Sequence, residues 1–351
     1  MKKMLLLCIA LCIILTGCSW MDGQYHSVVP HAEAGMPQVK DGIAVSSYLQ
    51  LRDALLSVVS TGTTEATFYI TDANAETVEK YMRTAITHIY KNTAIGAYAV
   101  KEITYESGTQ ADYRAVAVDI AYAHGRQEIL RVKKVQDMDT LKKHVCNALS
   151  NFSVSTVIMV DQYKNLDLVQ FVQDYVDENP HVCMEMPQVA VAVYPETGEE
   201  RIVELSFTYQ TSREVLRSMQ ESVNPIFFAA RMYVQGSADD LQKYEQLFSF
   251  LMERFDYTIE TSITPAYSLL RYGVGDSKAF ATVYSAMCEN SGIVCQVVSG
   301  TRDGDAWYWN HVKIGDTFYH LDLLESSSIG EFTPVLSQDM NGYVWDYSQF
   351  P

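Results

Sequence analysis

The sequence is short of positive charge. Twenty-six lysines and arginines face 43 aspartates and glutamates over 351 residues, for a formal net charge of −17. So acidic a surface argues against nucleic acid, and against anionic lipid or wall polymers, as partners held by bulk charge. Residues Ser46 to Val223 lack a metal-ligand cluster, a phosphate-cradling glycine loop and a paired-acid signature. No stretch implies a cofactor or a resident metal. The apolar run Met4 to Leu15 is too short to span a bilayer. Cysteine is sparse, with seven in the whole chain. What the chain does hold is apolar material, 48% of its residues, enough for two or three cores.

Lys2 and Lys3 followed by Met4 to Leu15 read as the basic and apolar parts of a signal peptide, residues 1–17. Its end, Leu15-Thr16-Gly17-Cys18, resembles the lipobox of bacterial lipoproteins. That resemblance implies cleavage before Cys18, diacylation of its thiol, and export to the outer side of the cell membrane. A multi-chain lipid anchor would hold the chain there, and membrane contact would run through that lipid alone. An ordinary secretory peptide with a chance cysteine is the other reading. Residues 18–43, with Gly23, Pro30, Gly35 and Pro37, read as a flexible tether. Cys8 and Cys12 leave with the signal, so Cys146, Cys183, Cys288 and Cys295 remain. They permit two disulfides in any of three pairings, Cys288–Cys295 being conceivable, or four separate buried thiols.

The next stretch reads as an α+β module stated twice, copy 1 over 44–137 and copy 2 over 138–223. Copy 1 has a helix with Tyr48, Leu51, Leu55 and Val58, then a strand Ala66 to Ile70 ending at Asp72. A longer helix follows with Val78, Met82 and Ile89, then strands near Tyr98–Tyr105 and Tyr113–Ala123. Copy 2 repeats this with Leu141, Val145 and Leu149, then Thr156 to Val160 ending at Asp161, then Leu168, Val172 and Val176. Its last strands fall near Val189–Tyr194 and Ile202–Tyr209. Asp72 and Asp161 hold equivalent places and are expected to cap or support the long helices. Spacer or recognition modules is the reading adopted for both.

Asn224-Pro225 marks the expected boundary of a last domain, 224–351. Its organising stretch runs from Ala266 to Asp322. Tyr272-Gly273-Val274-Gly275 is a glycine-punctuated turn. A helix follows with Phe280, Val283, Tyr284 and Met287 on one stripe, Asp276 as N-cap and Ser277 in the first turn. Ile293 to Val298 reads as a strand closed by Ser299-Gly300. Next comes a hairpin over 306–324 turning at Gly315-Asp316. That turn sets Ile314 opposite Thr317, His311 opposite His320 and Trp309 opposite Asp322. Trp307, Trp309, His311, His320 and Asp322 then share one face.

This layout resembles the transglutaminase-like superfamily, papain-like in fold. The resemblance rests on Gly275-Asp276-Ser277-Lys278-Ala279-Phe280-Ala281, Gly292-Ile293, Trp307-Tyr308-Trp309-Asn310-His311-Val312 and Phe318-Tyr319-His320-Leu321-Asp322. It covers about residues 226–351. It implies a nucleophile, base and orienting acid at Ser277, Trp307 and Asp322, where the family carries cysteine, histidine and aspartate. Serine is a weak nucleophile without a base, and an indole accepts no proton. The expected domain is therefore catalytically silent. His311 cannot step in easily, because it lies about 13 Å along the strand from Trp307. His311 and His320 could bind a metal or simply pack, but two imidazoles fall short of the three or four ligands zinc takes. Tyr272, Tyr284, Trp307, Tyr308, Trp309, His311 and His320 are candidates to line a groove for a peptide, protein or envelope glycan. The alternative in that cleft is a plug of Trp307. The alternative function is an amidase, protease or crosslinker using Ser277 or a substitute dyad.

Overall fold

A computed structural model describes residues 42–71, 73–110, 113–236 and 238–351. The signal peptide, Cys18, most of the tether and Asp72 lie outside the described residues. The fold is mixed α+β. It is built from three successive units.

The first unit runs β1 (Ile43–Val45), α1 (Tyr48–Ser60), β2 (Glu65–Thr71), α2 (Ala75–Asn92), α3 (Ala94–Ala99), β3 (Val100–Gln110) and β4 (Tyr113–Tyr122). Its sheet has the order β1-β2-β4-β3, parallel between β1 and β2 and antiparallel elsewhere. After α4 (Arg126–Arg131), the second unit runs β5 (Lys133–Val135), α5 (Met138–Ser150), β6 (Ser155–Val160), α6 (Leu168–Glu178), β7 (Gln188–Tyr194) and β8 (Arg201–Thr208). Its sheet order, β5-β6-β8-β7, and its pairing senses follow the same scheme. Ser47 caps α1 by accepting from Gln50 N, and Asp137 caps α5 by accepting from Thr140 N.

Two expectations fail here. The residues around Tyr98 form α3 instead of a strand, because Thr93 Oγ1 accepts from Gly96 N and caps a new helix. Asp161 caps nothing. Asp167 is the N-cap of α6, and Asp161 instead pairs with Lys134 at 2.9 Å.

The third unit opens with α7 (Arg213–Tyr233) and α8 (Asp240–Met252). Then come β9 (Asp256–Tyr257), α9 (Pro265–Tyr272), β10 (Val274–Gly275), α10 (Ser277–Asn290), β11 (Cys295–Arg302), β12 (Asp305–Ile314), β13 (Thr317–Leu321), α11 (Leu323–Ile329) and β14 (Tyr343–Trp345). The expected boundary at Asn224-Pro225 falls inside α7, which runs through Pro225 unbroken. Proline removes one helical hydrogen bond. The stripe Leu216, Met219, Val223, Phe227, Ala230 nevertheless continues across it, buried in the third unit's core. The unit therefore begins at the Ser212 cap.

Its sheet has the order β13-β12-β11-β14. The register read from the Gly315 turn is present, with Ile314 opposite Thr317 and His311 opposite His320. Strand β11 differs from expectation. It starts at Cys295 and continues past Ser299-Gly300 to a turn at Asp303 and Gly304, both with positive φ. Gly300 belongs inside the strand because a Cβ there would lie 2.2 Å from Val344 O and 2.8 Å from the Trp309 ring. Its bareness lets β14 and Trp309 close on the sheet.

The two faces of this sheet have different roles. Asn310 Nδ2 donates to Ala281 O at 2.9 Å, and Val312 and Leu321 share the core of α10, so their side chains face the helix. Trp309 packs on the other side with Val298, Met340 and Trp345. Cys146, Cys183, Cys288 and Cys295 are free thiols, two buried and two half-buried.

Candidate functional site

Asp276 Oδ1 accepts from Ala279 N at 2.8 Å and starts α10, placing Ser277 in the first turn of the helix. Ser277 is 7% exposed and borders a cavity of about 490 Å³ that also reaches Trp307. Its Oγ makes no hydrogen bond among the described residues. Trp307 Nε1 donates to Asp322 Oδ2 at 2.7 Å. The structure thus joins the three expected positions, Ser277 and Trp307 on the cavity wall and Asp322 behind the indole.

Asp322 is held from every side. Oδ2 also accepts from Tyr343 OH at 2.7 Å and Arg302 Nη1 at 3.3 Å. Oδ1 accepts from Leu324 N and Glu325 N, which makes Asp322 the N-cap of α11. Burial and the bond to Asp322 push the Tyr343 hydroxyl well above its ordinary pKa. Arg302 lies 5.4 Å from the centre of the Trp307 ring and also pairs with Glu325. Asp322 holds the Trp307 indole in place, and that indole N–H is a donor with no proton-accepting nitrogen.

The expected groove is corrected at five positions. Tyr284 is fully buried and donates to Tyr244 O at 2.8 Å. Trp309 is core, its Nε1 donating to His320 Nδ1 at 2.9 Å. His311 is stacked on Phe318 at 4.8 Å with both ring nitrogens unpartnered among the described residues. His320 is fully buried and reaches Ser337 Oγ at 3.1 Å. Tyr272 is exposed but packs edge-on against Tyr267, away from the cavity wall. Only Trp307 and Tyr308 of the seven line the cavity. For Trp309 and His311 the alternation of β12 explains this, since residues beyond Trp307 point either into the helix core or into the aromatic cluster behind the sheet, and His320 follows as the cross-strand partner of His311. Burial, with His311 adding a smaller push, brings His320 down to about 4, and burial lowers His311 as well. Both are neutral spacers in the core. Among the described residues no third ligand joins them to hold a metal.

The other half of the wall comes from the second unit, expected from its sequence to be a spacer or recognition module. Pro180, Cys183, Met184, Glu185 and Met186, between α6 and β7, roof the cavity together with Val176 and Asp177 of α6. Asp177 pairs with Lys278, next to Ser277, at 2.8 Å. The signal was present in Pro180-His181-Val182-Cys183-Met184-Glu185-Met186-Pro187, an apolar connection bounded by prolines, where an exposed loop would be polar. Cys183 also borders the cavity. Burial raises its pKa to about 12, so it stays a thiol.

Residues 228–323 match the family model of the transglutaminase-like superfamily. The chain carries a transglutaminase-like domain. Structure comparison finds likeness to a transglutaminase crystal structure at 8% identity and a TM-score of 0.27, covering 55% of this chain and 58% of that one. It also finds a candidate cysteine protease from Cytophaga hutchinsonii at 10% identity and a TM-score of 0.26, covering 45% and 70%. A candidate protease from Parabacteroides distasonis follows at 9% identity and a TM-score of 0.24, covering 73% and 39%. The chain spans little more than half the length of the first. No curated protein matches the chain.

Nucleophilic catalysis by an alcohol needs a base within hydrogen-bond reach, and no histidine borders the cavity. Of the carboxylates there, Asp276 caps α10, Asp177 pairs with Lys278, and Glu185 accepts one bond on each oxygen, from Gln210 N and Thr211 N. What remains is an open, partly apolar cavity closed by two units.

Proposed function

We propose that this chain is a lipid-anchored, exported binding protein whose transglutaminase-like domain is catalytically silent. It holds a peptide or cell-envelope ligand in the cavity between Ser277, Trp307 and the 179–187 roof. The observation that carries this reading is the Trp307 indole donating to Asp322 in the place of a base, beside an alcohol with no proton acceptor. The open cavity favours binding over a plugged scaffold, since Trp307 borders the space and leaves it unfilled.

The test is an amine-incorporation and peptide-hydrolysis assay on the full-length chain, expected to be blank. Activity that vanished on Ser277→Ala would sink the proposal in favour of a serine amidase or crosslinker. As a companion test, Ser277→Cys with Trp307→His should create a thiol alkylated at neutral pH faster than that of Ser277→Cys alone. The imidazole would lower that thiol's pKa. Equal rates would mean the frame no longer aligns a base with the helix terminus. Anchoring is checked separately: labelled fatty acid should be incorporated into the wild type and lost on Cys18→Ser.

A further inference from the structure

We infer that the cavity selects a guanidinium group, as on an arginine side chain of a peptide, an inference that rests on reading the cavity as a binding site. The charges on the wall point that way. Its acids are Asp177, Glu185 and Asp276, and its lone basic residue, Lys278, is already paired with Asp177. Glu185 is 3% exposed, and no ion pair involves it among the described residues. Its two oxygens accept from Gln210 N at 2.5 Å and Thr211 N at 3.1 Å, just ahead of the N-terminus of α7. Those amides and the positive end of α7 set partial positive charge against the two oxygens. A carboxylate has about four acceptor sites, so two remain on a group that borders the cavity. The unpartnered hydroxyl of Ser277 supplies another acceptor on the wall.

The aromatic surface then favours one kind of cation. Tyr257 and Trp307 stand together with ring centres 5.7 Å apart, and both line the cavity. Guanidinium is planar and weakly hydrated, stacks on aromatic faces and forks onto carboxylates, whereas ammonium is a compact, strongly hydrated point charge. The molecule already uses this pairing at a half-buried site of its own. Arg302 lies against the Trp307 and Tyr343 rings while it bridges Asp322 and Glu325, which neutralise it behind the wall. Exposed Ile259 and Ile263 at the cavity border give the flanking residues of a peptide an apolar rest. About 490 Å³ falls within the usual range for small-molecule sites and admits a long side chain with its backbone.

The experiment is calorimetric titration of the full-length chain with three capped tripeptides, Ala-X-Ala, where X is arginine, lysine or citrulline. Citrulline keeps the shape of arginine without its charge. The arginine peptide should bind about tenfold tighter than the citrulline peptide and several-fold tighter than the lysine peptide. Glu185→Gln should weaken the arginine peptide about tenfold and leave the citrulline peptide within about twofold. Tyr257→Leu, at an exposed position, should weaken the arginine peptide several-fold and serves if Glu185→Gln fails to fold. Equal binding of citrulline and arginine overturns the charge selection while leaving a binding cavity. Lysine binding as tightly as arginine overturns the guanidinium preference. No heat from any of the three overturns the inference outright, whereas the blank assay proposed above would stand.

Discussion

The first two units share a strand order, yet they use the connection between their long helix and third strand differently. In the first unit it is α3, a capped helix whose Tyr98 packs edge-on against Tyr194 of the second unit at 5.7 Å. In the second unit it is the irregular segment 179–187, whose Met184 sits in the core of the third unit. Both connections therefore dock onto the unit that follows. A regular helix packs flush, since its backbone groups bond internally and side chains alone meet the neighbour. An irregular segment leaves gaps and needs polar partners for its backbone. One such gap is the cavity over Ser277. The difference shows how one topology can give a sealed junction in one place and a binding pocket in the next.

Breaking the seat of α3 on α2, which holds the first connection in place, should cost most. A Cβ on Gly96 would lie 2.3 Å from Ile89 O and 2.5 Å from Thr93 Oγ1, so Gly96→Val should destabilise the first unit by about 3 kcal/mol or more. Urea unfolding followed by circular dichroism measures it. A loss below about 1 kcal/mol would mean α3 is not fixed against α2. The matching change in the roof, Met184→Ala, removes a side chain that is 1% exposed and should cost about 2–3 kcal/mol. It should also speed alkylation of Cys183, read by peptide mapping, because the thiol lines the space that opens.

Acid should then separate the junctions. Burial lowers the pKa of His181, in the roof, although Glu289 works against the shift. Burial holds His320 at about 4 and lowers His311 too. In each case the unfolded chain takes up a proton, near an ordinary pKa of about 6.5, before the folded one does. Stability is therefore full above that value and falls as pH drops towards the folded pKa. For His320 the loss is about 2 kcal/mol between pH 7 and pH 5. Hydrogen exchange should rise at 179–187 and around β12 and β13 before it rises at α3. His311→Phe should blunt the effect and raise Tm, since it replaces two orphaned nitrogens between Phe318 and Phe350. Exchange that rises first at α3 would contradict the ranking of the junctions.

The parts of this molecule that could be read from its sequence are those set by local rules. Asp276 as a cap, Gly315 as a turn and the alternation of β12 each depend on a few neighbouring residues, and the His311–His320 pairing followed from them. The Ser277, Trp307 and Asp322 positions followed from motif spacing. The misses share a different cause. Pro225 looked like a boundary because its cost is local, while the stripe that overrides it is tertiary. Tyr284, Trp309, His311 and His320 were chemically suitable for a groove, but α10 buries the first in the helical core and the sheet turns the other three into the packing behind it. The roof was missed because 179–187 meets Ser277 only through the packing of α6 on α10, and no short-range pattern records that contact.

The smallest expected effect concerns the ion pair that spans the pocket. Asp177 and Lys278 meet at 2.8 Å with side chains 34% and 29% exposed. Such a half-exposed pair contributes about 0.2–1 kcal/mol, so Asp177→Asn should leave Tm within a few degrees of wild type. Its effect should be on access. With the clasp gone, Cys183 should be alkylated faster and exchange at 179–187 should quicken, while α3 stays unchanged. High salt should imitate the substitution in the wild type and do nothing further to Asp177→Asn, because it screens the same attraction. If Asp177→Asn instead lowered Tm as far as Met184→Ala does, the roof would be held by charge. The second connection would then differ from the first in being clamped by an ion pair and not by apolar side chains packed over a cavity.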